Sequence, residues 1–522
     1  MRITNKIMQK NNLANINTNK VYQDKLSNQM STQKKVNRPS DDPVVAIRAL
    51  RLRSSVTEIT QYYSKNIPDA ESWLSVTEDG LKNLSQIITN MITQCNKGAN
   101  SYLDSSNRQI ILEQLKALGD EVYSTGDADY AGRYVFTGYR TDTSLSFPAE
   151  ETKEYTITEQ LHNDAIDTVT NVNIGKLLDL NTSNFNSADM AGVTEQSIDS
   201  VEAYRIRLAY NQCDEDSTLK ISFHEKSTDP VTGEAVYTPT TWASDGSGDA
   251  EIQVVHSYED PYTQAATDPD AIIFVPESGE MLLGENRYNQ LMTAKDNPAT
   301  TADESEIQVT YEKSEWNKGD LRPEHYFYCE SDGITYNETY LDGTKERQDI
   351  EYDVGFNQTI RINSTADECF DHGIGREVDD LVNALQETQD IEAIKTKIKN
   401  ALETASETDK PVLQTRLDAA EKALTLANDK LQKMFESGIT AFQKYLDDAN
   451  LCITNCGTRS SKLELIKTRM QNQKTTFETL KSENEDIDIT EVAIQLSSAE
   501  LTYEAALMAT GKVMQTTLLN YI

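Results

Sequence analysis

The sequence has few of the patterns that mark membrane proteins, disulfide-rich proteins or nucleic-acid binders. Its apolar runs reach only five residues, as in Ala271–Val275, whereas a helix that spans a bilayer needs about 20. Acidic side chains outnumber basic ones by 85 to 49, which gives a net charge of −36. A polyanion of this size repels nucleic acid and anionic lipid surfaces, so we expect no nucleic-acid partner and no membrane association.

The N-terminus has no charged segment followed by an apolar stretch and a small-residue cleavage site. We therefore expect that no signal peptide is cleaved, and that the protein either stays in the cytosol or leaves by a route that needs no such signal. The first 60 residues carry 11 basic and 4 acidic side chains. The excess of negative charge therefore lies in the rest of the chain.

Six cysteines are scattered over 522 residues without a CxxC pair. Cys452 and Cys456 are four residues apart and share one face of a predicted helix, but no further ligands follow at the spacing of a metal site. Cys95 and Cys456 continue apolar stripes, so we expect buried structural thiols.

Signals for catalysis and for bound cofactors are weak. The five histidines have no nucleophile or acidic partner at a motif spacing, which is typical of surface or turn residues. The acidic loop 245–249 lacks the alternating ligands and the final glutamate of an EF-hand. We expect no enzymatic activity, no catalytic residues, no metal and no cofactor.

The distribution of helix breakers divides the chain into three parts. Eight of the 12 prolines and 13 of the 22 glycines lie between positions 148 and 375. This predicts an α+β protein in which both chain ends form a long helical bundle and a β-rich middle domain is inserted. The predicted parts are an N-terminal assembly helix with its linker (1–43), one half of the bundle with a β-hairpin (44–147), the β-rich insertion (148–370), the other half of the bundle (371–482) and a C-terminal assembly helix (483–522).

The N-terminal helix, predicted over 3–32, has sparse apolar positions and cannot bury enough surface to fold alone. It ends in a linker that contains Pro39, Asp41, Asp42 and Pro43. Either aspartate is a good N-cap for a helix that begins with Pro43. Apolar spacings of three and four then predict helices from residue 45 to 95, with a kink or restart at Pro68.

The remaining segments have distinct patterns. Residues 130–147 are rich in Gly, Tyr, Val and Thr and predict a β-hairpin centred on Thr137-Gly138. Short alternating runs such as Tyr204–Leu208 predict a β-sandwich or two small β domains in the middle. After Pro411 a seam of apolar residues predicts a helical rod of about 70 residues, and residues 378–404 predict a helix that could fold back on it.

The last helix carries an apolar stripe to the end of the chain and cannot be left in water. We expect it to pair with the thin N-terminal helix and then with neighbouring subunits, in contacts that build a homo-oligomeric helical assembly. The predicted assembly interface is Ile3, Ile7, Leu496, Tyr503, Leu507, Val513, Met514 and Leu518.

Four segments carry a resemblance to a known family. They are the opening MRITN, the linker Asn37–Pro43 (NRPSDDP), the stretch Tyr130–Gly138 (YAGRYVFTG) and the segment Ser482–Asp488 (SENEDID) before the last helix. Together they resemble the flagellin family, and within it the hook-associated subunits at the hook–filament junction more than the filament subunits. The proline-flanked Asp-Asp in the linker carries this distinction.

The resemblance implies a structural role in the bacterial flagellum, outside the cell, at the junction between hook and filament. It implies hook-associated protein 1 and flagellin as partners, and delivery by a flagellar export chaperone and the type III export apparatus. The alternatives are a minor flagellin of the filament and a secreted adhesin on a coiled-coil stalk; an intracellular coiled-coil protein is a further reading of the heptad stripes.

Replacing Pro39 and Pro43 together with alanine tests the linker. The double change removes both helix breaks, so the first two helices should fuse and assembly should fail. Swimming in soft agar measures this, and normal motility of the double variant would contradict the role of the linker.

Overall fold

The computed structural model describes residues 5–100, 105–181, 183–215, 218–229, 233–294, 306–341 and 348–515. They form two compact units. The first unit comprises the described residues of Met1–Glu71, Tyr352–Ile360 and Ser460–Ile522, and the second those of Ser72–Glu351 and Arg361–Arg459.

Long helices come from both ends of the chain and short ones from the middle. The described α-helices are α1 (Asn5–Thr32), α2 (Pro43–Gln61), α3 (Ile67–Gly98), α4 (Ser105–Gly126), α5 (Pro261–Thr267), α6 (Glu285–Leu291), α7 (Ala366–Cys369), α8 (Gly373–Thr404), α9 (Lys410–Glu485) and α10 (Ile489–Gln515). A π-helical segment, Tyr62–Asn66, separates α2 from α3.

The strands lie almost entirely in the middle of the sequence. They are β1 (Asp129–Tyr130), β2 (Arg133–Tyr134), β3 (Glu151–His162), β4 (Ile166–Asn173), β5 (Asp199–Arg207), β6 (Lys220–Thr228), β7 (Ala235–Ala243), β8 (Ala250–Glu251), β9 (Gln253–Val254), β10 (Ile272–Val275), β11 (Glu280–Leu283), β12 (Glu306–Trp316), β13 (Tyr328–Ser331), β14 (Ile334–Tyr336), β15 (Glu351–Gly355) and β16 (Gln358–Arg361).

In the second unit, the helices form an antiparallel bundle around the N-terminal part of α9. Helix α8 runs back along α9 and is tied to it by Lys430–Glu387 at 2.8 Å and Lys395–Glu421 at 3.3 Å. Helix α3 packs on α9 so closely that a Cβ at Gly98 would lie 2.4 Å from the ring of Phe435. Only glycine therefore fits at position 98 without moving that ring.

The β-rich middle of the second unit is a sandwich. One sheet has the strand order β14-β13-β3-β12-β6-β7-β8 and the other has the order β4-β5-β11-β10-β9. Ile157 and Trp242 of the first sheet share one buried core with Ile206 and Phe274 of the second. This packing follows from the alternating runs, which give each strand one apolar face.

A network of charges fastens the sandwich to α8. Arg205 and Arg207 alternate with the core residue Ile206 on β5, so they point away from the core. The Arg205 guanidinium lies 3.0 Å from an Asp380 carboxylate oxygen, and Arg207 lies 2.9 Å from the same oxygen. Arg207 also contacts Glu377 at 2.6 Å. These side chains are nearly buried, so each of the charges depends on its partners.

The helical stretch near residues 376–432 has a small core of its own. The end of α8 and the start of α9 form a helical hairpin, and the segment 174–198 packs on it. Leu177, Phe185 and Met190 from this segment are buried against Ile394 and Ala420 of the hairpin. Part of the middle of the chain thus belongs to the helical architecture.

The predicted fold class is confirmed: the protein is an α+β protein with a helical bundle from both chain ends and an inserted β-rich region. The predicted hairpin over 130–147 is wrong in its extent and its centre. The hairpin is only β1 and β2, and it turns at Ala131 and Gly132, which both have positive φ angles (54° and 77°). Beyond β2, the chain leaves the ladder because Phe136 turns inward to pack against Phe370.

The helix is interrupted slightly before Pro68, the residue at which the sequence predicts a kink or restart. Pro68 stands in the first turn of α3, where a missing amide proton costs little, and the irregular geometry is the π-helical segment before it.

Glu159 of β3 gives the second unit a pH-dependent stability. Its carboxylate is 3% exposed and accepts hydrogen bonds from the Ala209 amide at 2.9 Å and from the Tyr311 hydroxyl. Burial raises the pKa of Glu159 to about 7, against the partial opposition of these two bonds and of the Arg376 charge. The folded protein therefore holds this proton up to a higher pH than the unfolded chain does.

We expect the free energy of unfolding to fall by roughly 3 kcal/mol, relative to the Glu159→Gln variant, as the pH rises from about 4.5 to about 7. The sign follows because the contribution is complete below the unfolded pKa and is lost as the pH passes the raised folded value. Guanidinium unfolding of both proteins across this range measures the difference. Glu154→Gln, an exposed change on the same strand, is the control; a constant difference between wild type and Glu159→Gln would contradict the expectation.

Candidate assembly surface

In the first unit, α1 and α10 lie antiparallel. Asp488 caps α10, since its carboxylate accepts hydrogen bonds from the amides of Thr490 at 2.9 Å and Glu491 at 3.2 Å. On the other helix, Tyr22 reaches Gln495 of α10 with its hydroxyl at 3.3 Å. Two helices that are marginal alone thus share one interface.

The apolar core of this pair is small. Leu26 of α1 and Val492 and Ala499 of α10 are buried, and Met30 and Leu496 pack at their edge. The spacing of Val492, Leu496 and Ala499 places them on one face of α10. The rest of the apolar stripe extends beyond the area that α1 covers.

An ion cluster joins α2 and the segment after α1 to the end of α9, just before α10 begins. Glu485 is almost fully buried and accepts two hydrogen bonds from the Arg53 guanidinium, at 2.6 and 2.7 Å. Lys34 lies 3.5 Å from the same carboxylate and binds the neighbouring Asp486. The hydrogen bond from Arg53 is the largest cause that lowers the pKa of Glu485. Two-point pairing of guanidinium and carboxylate fixes orientation as well as distance.

Backbone contacts extend this junction. The Lys35 amide donates to the Glu485 carbonyl at 2.7 Å, and the Ile487 amide donates to the Gln33 carbonyl at 3.2 Å. Gln33 itself has a positive φ of 58°, which ends α1 and turns the chain.

The linker after α1 is a capped turn. The Asp41 carboxylate accepts from the Arg38 amide at 3.1 Å, and the Asp41 amide donates to the Arg38 carbonyl at 2.9 Å. Asp42 caps α2 by accepting from the amides of Val44 and Val45, and Pro43 is the first residue of that helix. Pro39 lies exposed in the turn.

Large apolar side chains remain in water on α1, α2 and α10. We name these the outer apolar surface: Ile7, Met8, Leu13, Val21, Tyr22, Val44, Ile47, Leu50, Ile489, Ile494, Leu501, Leu507 and Met508. The most exposed of them include Leu501 at 68% and Val44 at 67%. These exposed apolar residues make the three helices the candidate assembly surface.

The residues predicted for the assembly interface fall into three groups. Leu496 and Tyr503 are half-buried, and Leu496 packs at the edge of the α1–α10 core. Ile7 and Leu507 are about half exposed, at 48% and 45%, and belong to the outer apolar surface. Ile3 and Leu518 lie outside the described residues, as do the side chains of Val513 and Met514.

Four residues of these contacts were not predicted from the sequence: Leu26, Lys34, Arg53 and Glu485. The signal that could have found the charged residues is the match between basic residues around the linker and the acidic run before α10. Arg53 and Glu485 are 432 positions apart, so spacing along the chain gives no hint of which charges meet.

A histidine that is followed by a serine has a carboxylate partner in the described part of the chain. His256 lies 2.7 Å from Glu277, but the Ser257 hydroxyl donates to the same carboxylate and not to the imidazole. This ring therefore activates no nucleophile. Among the described residues, no three His, Cys, Asp or Glu side chains group as metal ligands, and none of their helices has an apolar stretch that could cross a bilayer.

All six cysteines are buried and carry free thiols. The predicted burial of Cys95 and Cys456 is therefore confirmed.

Two of the histidines are not simple surface residues. His372 contacts the Tyr210 hydroxyl at 3.1 Å, and burial lowers its pKa to about 3; burial likewise lowers the pKa of His325 to about 4. Both rings therefore stay neutral at physiological pH.

The N-terminal part of this chain is similar to a region of known proteins. Residues 3–141 match the bacterial flagellin N-terminal helical region. Flagellar hook-associated protein 3 of Salmonella typhimurium is 29% identical over 145 residues, which is 28% of this chain and 45% of that protein. The protein of the same name from Escherichia coli matches to the same extent. The matched region thus spans about half the length of these relatives.

Two solved structures are also similar. A putative flagellar hook-associated protein of Vibrio parahaemolyticus covers 85% of this chain and all of its own length, with 14% identity and a TM-score of 0.33. Hook-associated protein 3 of Legionella pneumophila covers 83% of this chain and 97% of its own, with 10% identity and a TM-score of 0.29. The match of the N-terminal helical region and the two curated relatives confirm the resemblance of this chain to the flagellin family, and within that family to hook-associated protein 3.

Proposed function

We propose that this protein is a structural subunit of the bacterial flagellum that joins the hook to the filament, and that it does no enzymatic chemistry. The observation that carries the proposal is the outer apolar surface on the paired terminal helices. The similarity to hook-associated protein 3 supports the junction in particular, since the two curated relatives carry that name.

The assembly follows from what the pair of helices leaves exposed. Burying one Leu, Ile, Val or Met side chain contributes roughly 1.5–3 kcal/mol, and 13 large apolar side chains lie on the outer apolar surface. Covering even a few of them by neighbouring subunits gives enough free energy to hold a polymer. Copies of this chain, hook-associated protein 1 on the hook side and flagellin on the filament side are the proposed occupants.

Charges on the same helices favour correct pairing during assembly. Helix α1 carries four lysines and one aspartate, whereas α10 carries three glutamates and one lysine. Opposite net charges attract the two ends of the chain to each other and disfavour pairing of α1 with α1.

The exposed apolar residues of α10 also bear on how the chain leaves the cell. We propose that the chain leaves the cell unfolded through the flagellar type III apparatus, and that a chaperone covers the apolar face of α10 beforehand, as amphipathic helices are covered in grooves. Pairing of α1 with α10 then takes place after export.

A deletion strain that is complemented with variants tests the proposal. Loss of the gene should leave hooks without filaments and release flagellin into the medium, and the wild-type gene should restore filaments. Ile494→Gln with Leu501→Gln should fail to restore them, because the substitutions place polar groups in the assembly contact. The folded monomer should keep its stability within about 0.5 kcal/mol, since both side chains are exposed.

The matched control is Val236→Gln with Ile334→Gln, two exposed positions of the β-rich region, which should restore filaments. An antibody to residues 150–360 should mark a band at the distal edge of the hook in electron micrographs. Decoration along the whole filament would show a minor flagellin, and a deletion strain that swims normally would show an adhesin; either result overturns the junction role.

Charge reversal tests the Arg53–Glu485 pair. We expect Glu485→Arg or Arg53→Glu alone to loosen the pair of terminal helices by roughly 1–2 kcal/mol, because each change removes two charge-assisted hydrogen bonds and opposes like charges. Native-state proteolysis of the purified monomer should then cut within α1 roughly ten times faster. The double reversal should recover part of the protection, since it restores the pair but places an arginine beside Lys34, which lies 3.5 Å from Glu485 in the wild type. Equal cleavage of all four proteins would contradict the role of this pair.

A further inference from the structure

Cys369 and Cys452 meet in the interior of the second unit. Cys369 is the last residue of α7, and Cys452 lies in α9. The Cys452 thiol donates a hydrogen bond to the Glu368 carbonyl at 3.0 Å, so its sulfur rests against the peptide group that leads into Cys369. Both residues are nearly buried, with 5% and 6% of their surface exposed.

The two thiols also influence each other directly. The neighbouring Cys452 side chain is the largest cause that raises the pKa of Cys369, followed by burial. The Cys369 thiol is therefore protonated in the reduced protein. Because the Cys452 sulfur lies 3.0 Å from the carbonyl oxygen of the residue before Cys369, the two buried thiols are neighbours, as a disulfide requires.

The neighbouring cysteine of α9 has a different environment. Cys456 lies one turn further along and is fully buried, but its thiol donates to the Leu74 carbonyl of α3 at 3.5 Å. Cys452 and Cys456 on one helix therefore face different elements, and Cys452 is the one that faces Cys369.

We propose that Cys369 and Cys452 are a site of covalent modification, and that they form an intramolecular disulfide when the protein meets a disulfide oxidant. The reaction with oxidised glutathione balances as two exchanges. The thiolate of one cysteine attacks the glutathione disulfide and releases one glutathione thiolate, which takes up the proton that the cysteine lost. The second cysteine then attacks the mixed disulfide, and the second reduced glutathione leaves in the same way.

The bond would tie α7 to α9 across a loop that contains all of α8. A cross-link over so long a loop restricts the unfolded chain, and it replaces two neighbouring thiols that are already buried. Oxidation should therefore raise the resistance of the second unit to denaturants. The proposal concerns this chain by itself and does not depend on its place in the flagellum.

Peptide mapping of the full-length protein tests the site. The purified chain is reduced, then incubated with oxidised glutathione both in its folded state and during refolding from guanidinium. Unreacted thiols are blocked by alkylation before digestion. We expect one cross-linked peptide pair that contains Cys369 and Cys452 and is lighter than the two reduced peptides by two hydrogen atoms. The midpoint of guanidinium unfolding should rise to a higher concentration.

Three variants sharpen the test. Cys369→Ser and Cys452→Ser should each abolish the cross-link and the shift of the midpoint, whereas Cys456→Ser, on the same helix, should keep both. Alkylation of Cys369 and Cys452 after both treatments, or a link between Cys452 and Cys456, would overturn the proposal. The mapping of the wild-type chain decides the matter even if a serine variant fails to fold.

Discussion

The terminal helices depend on one constraint: neither can bury its apolar side within its own segment. Helix α1 has too few apolar residues to fold alone, and α10 has more than α1 can cover. Their shared core is therefore limited to Leu26, Val492, Ala499 and the residues at their edge. In the proposed assembly, other chains cover the apolar area that remains, so the marginal stability of the ends and the proposed polymerisation have the same cause.

Apolar contact does not define how the two helices are aligned, because an apolar stripe can slide along another. Polar contacts supply the register. Arg53 and Lys34 converge on Glu485, and the backbone bonds of Gln33 and Lys35 continue the junction. The apolar core thus stabilises the pair, and the polar contacts set its alignment. Apolar and charged positions have the same two roles in coiled coils.

Much of the fold could be predicted from local patterns, and the exceptions have physical reasons. The three-and-four spacing predicted α3, α9 and α10 because amphipathic helices need no distant information. The hairpin at Tyr130 was overextended because the inward turn of Phe136 depends on Phe370, far away in the sequence. The assignment of residues 174–198 to the helical hairpin, and the ion cluster around Glu485, depend on the same kind of distant pairing. Composition and spacing along the chain do not encode it.

The charge network between β5 and α8 has a consequence for how this contact could vary in sequence. Glu377 and Asp380 are held on the helix next to the arginines of the sandwich. A chain that kept the sandwich but lost Arg205 and Arg207 would leave these two carboxylates largely buried without those cations, at a cost of several kcal/mol. The arginines of β5 and the carboxylates of α8 are for this reason expected to change together.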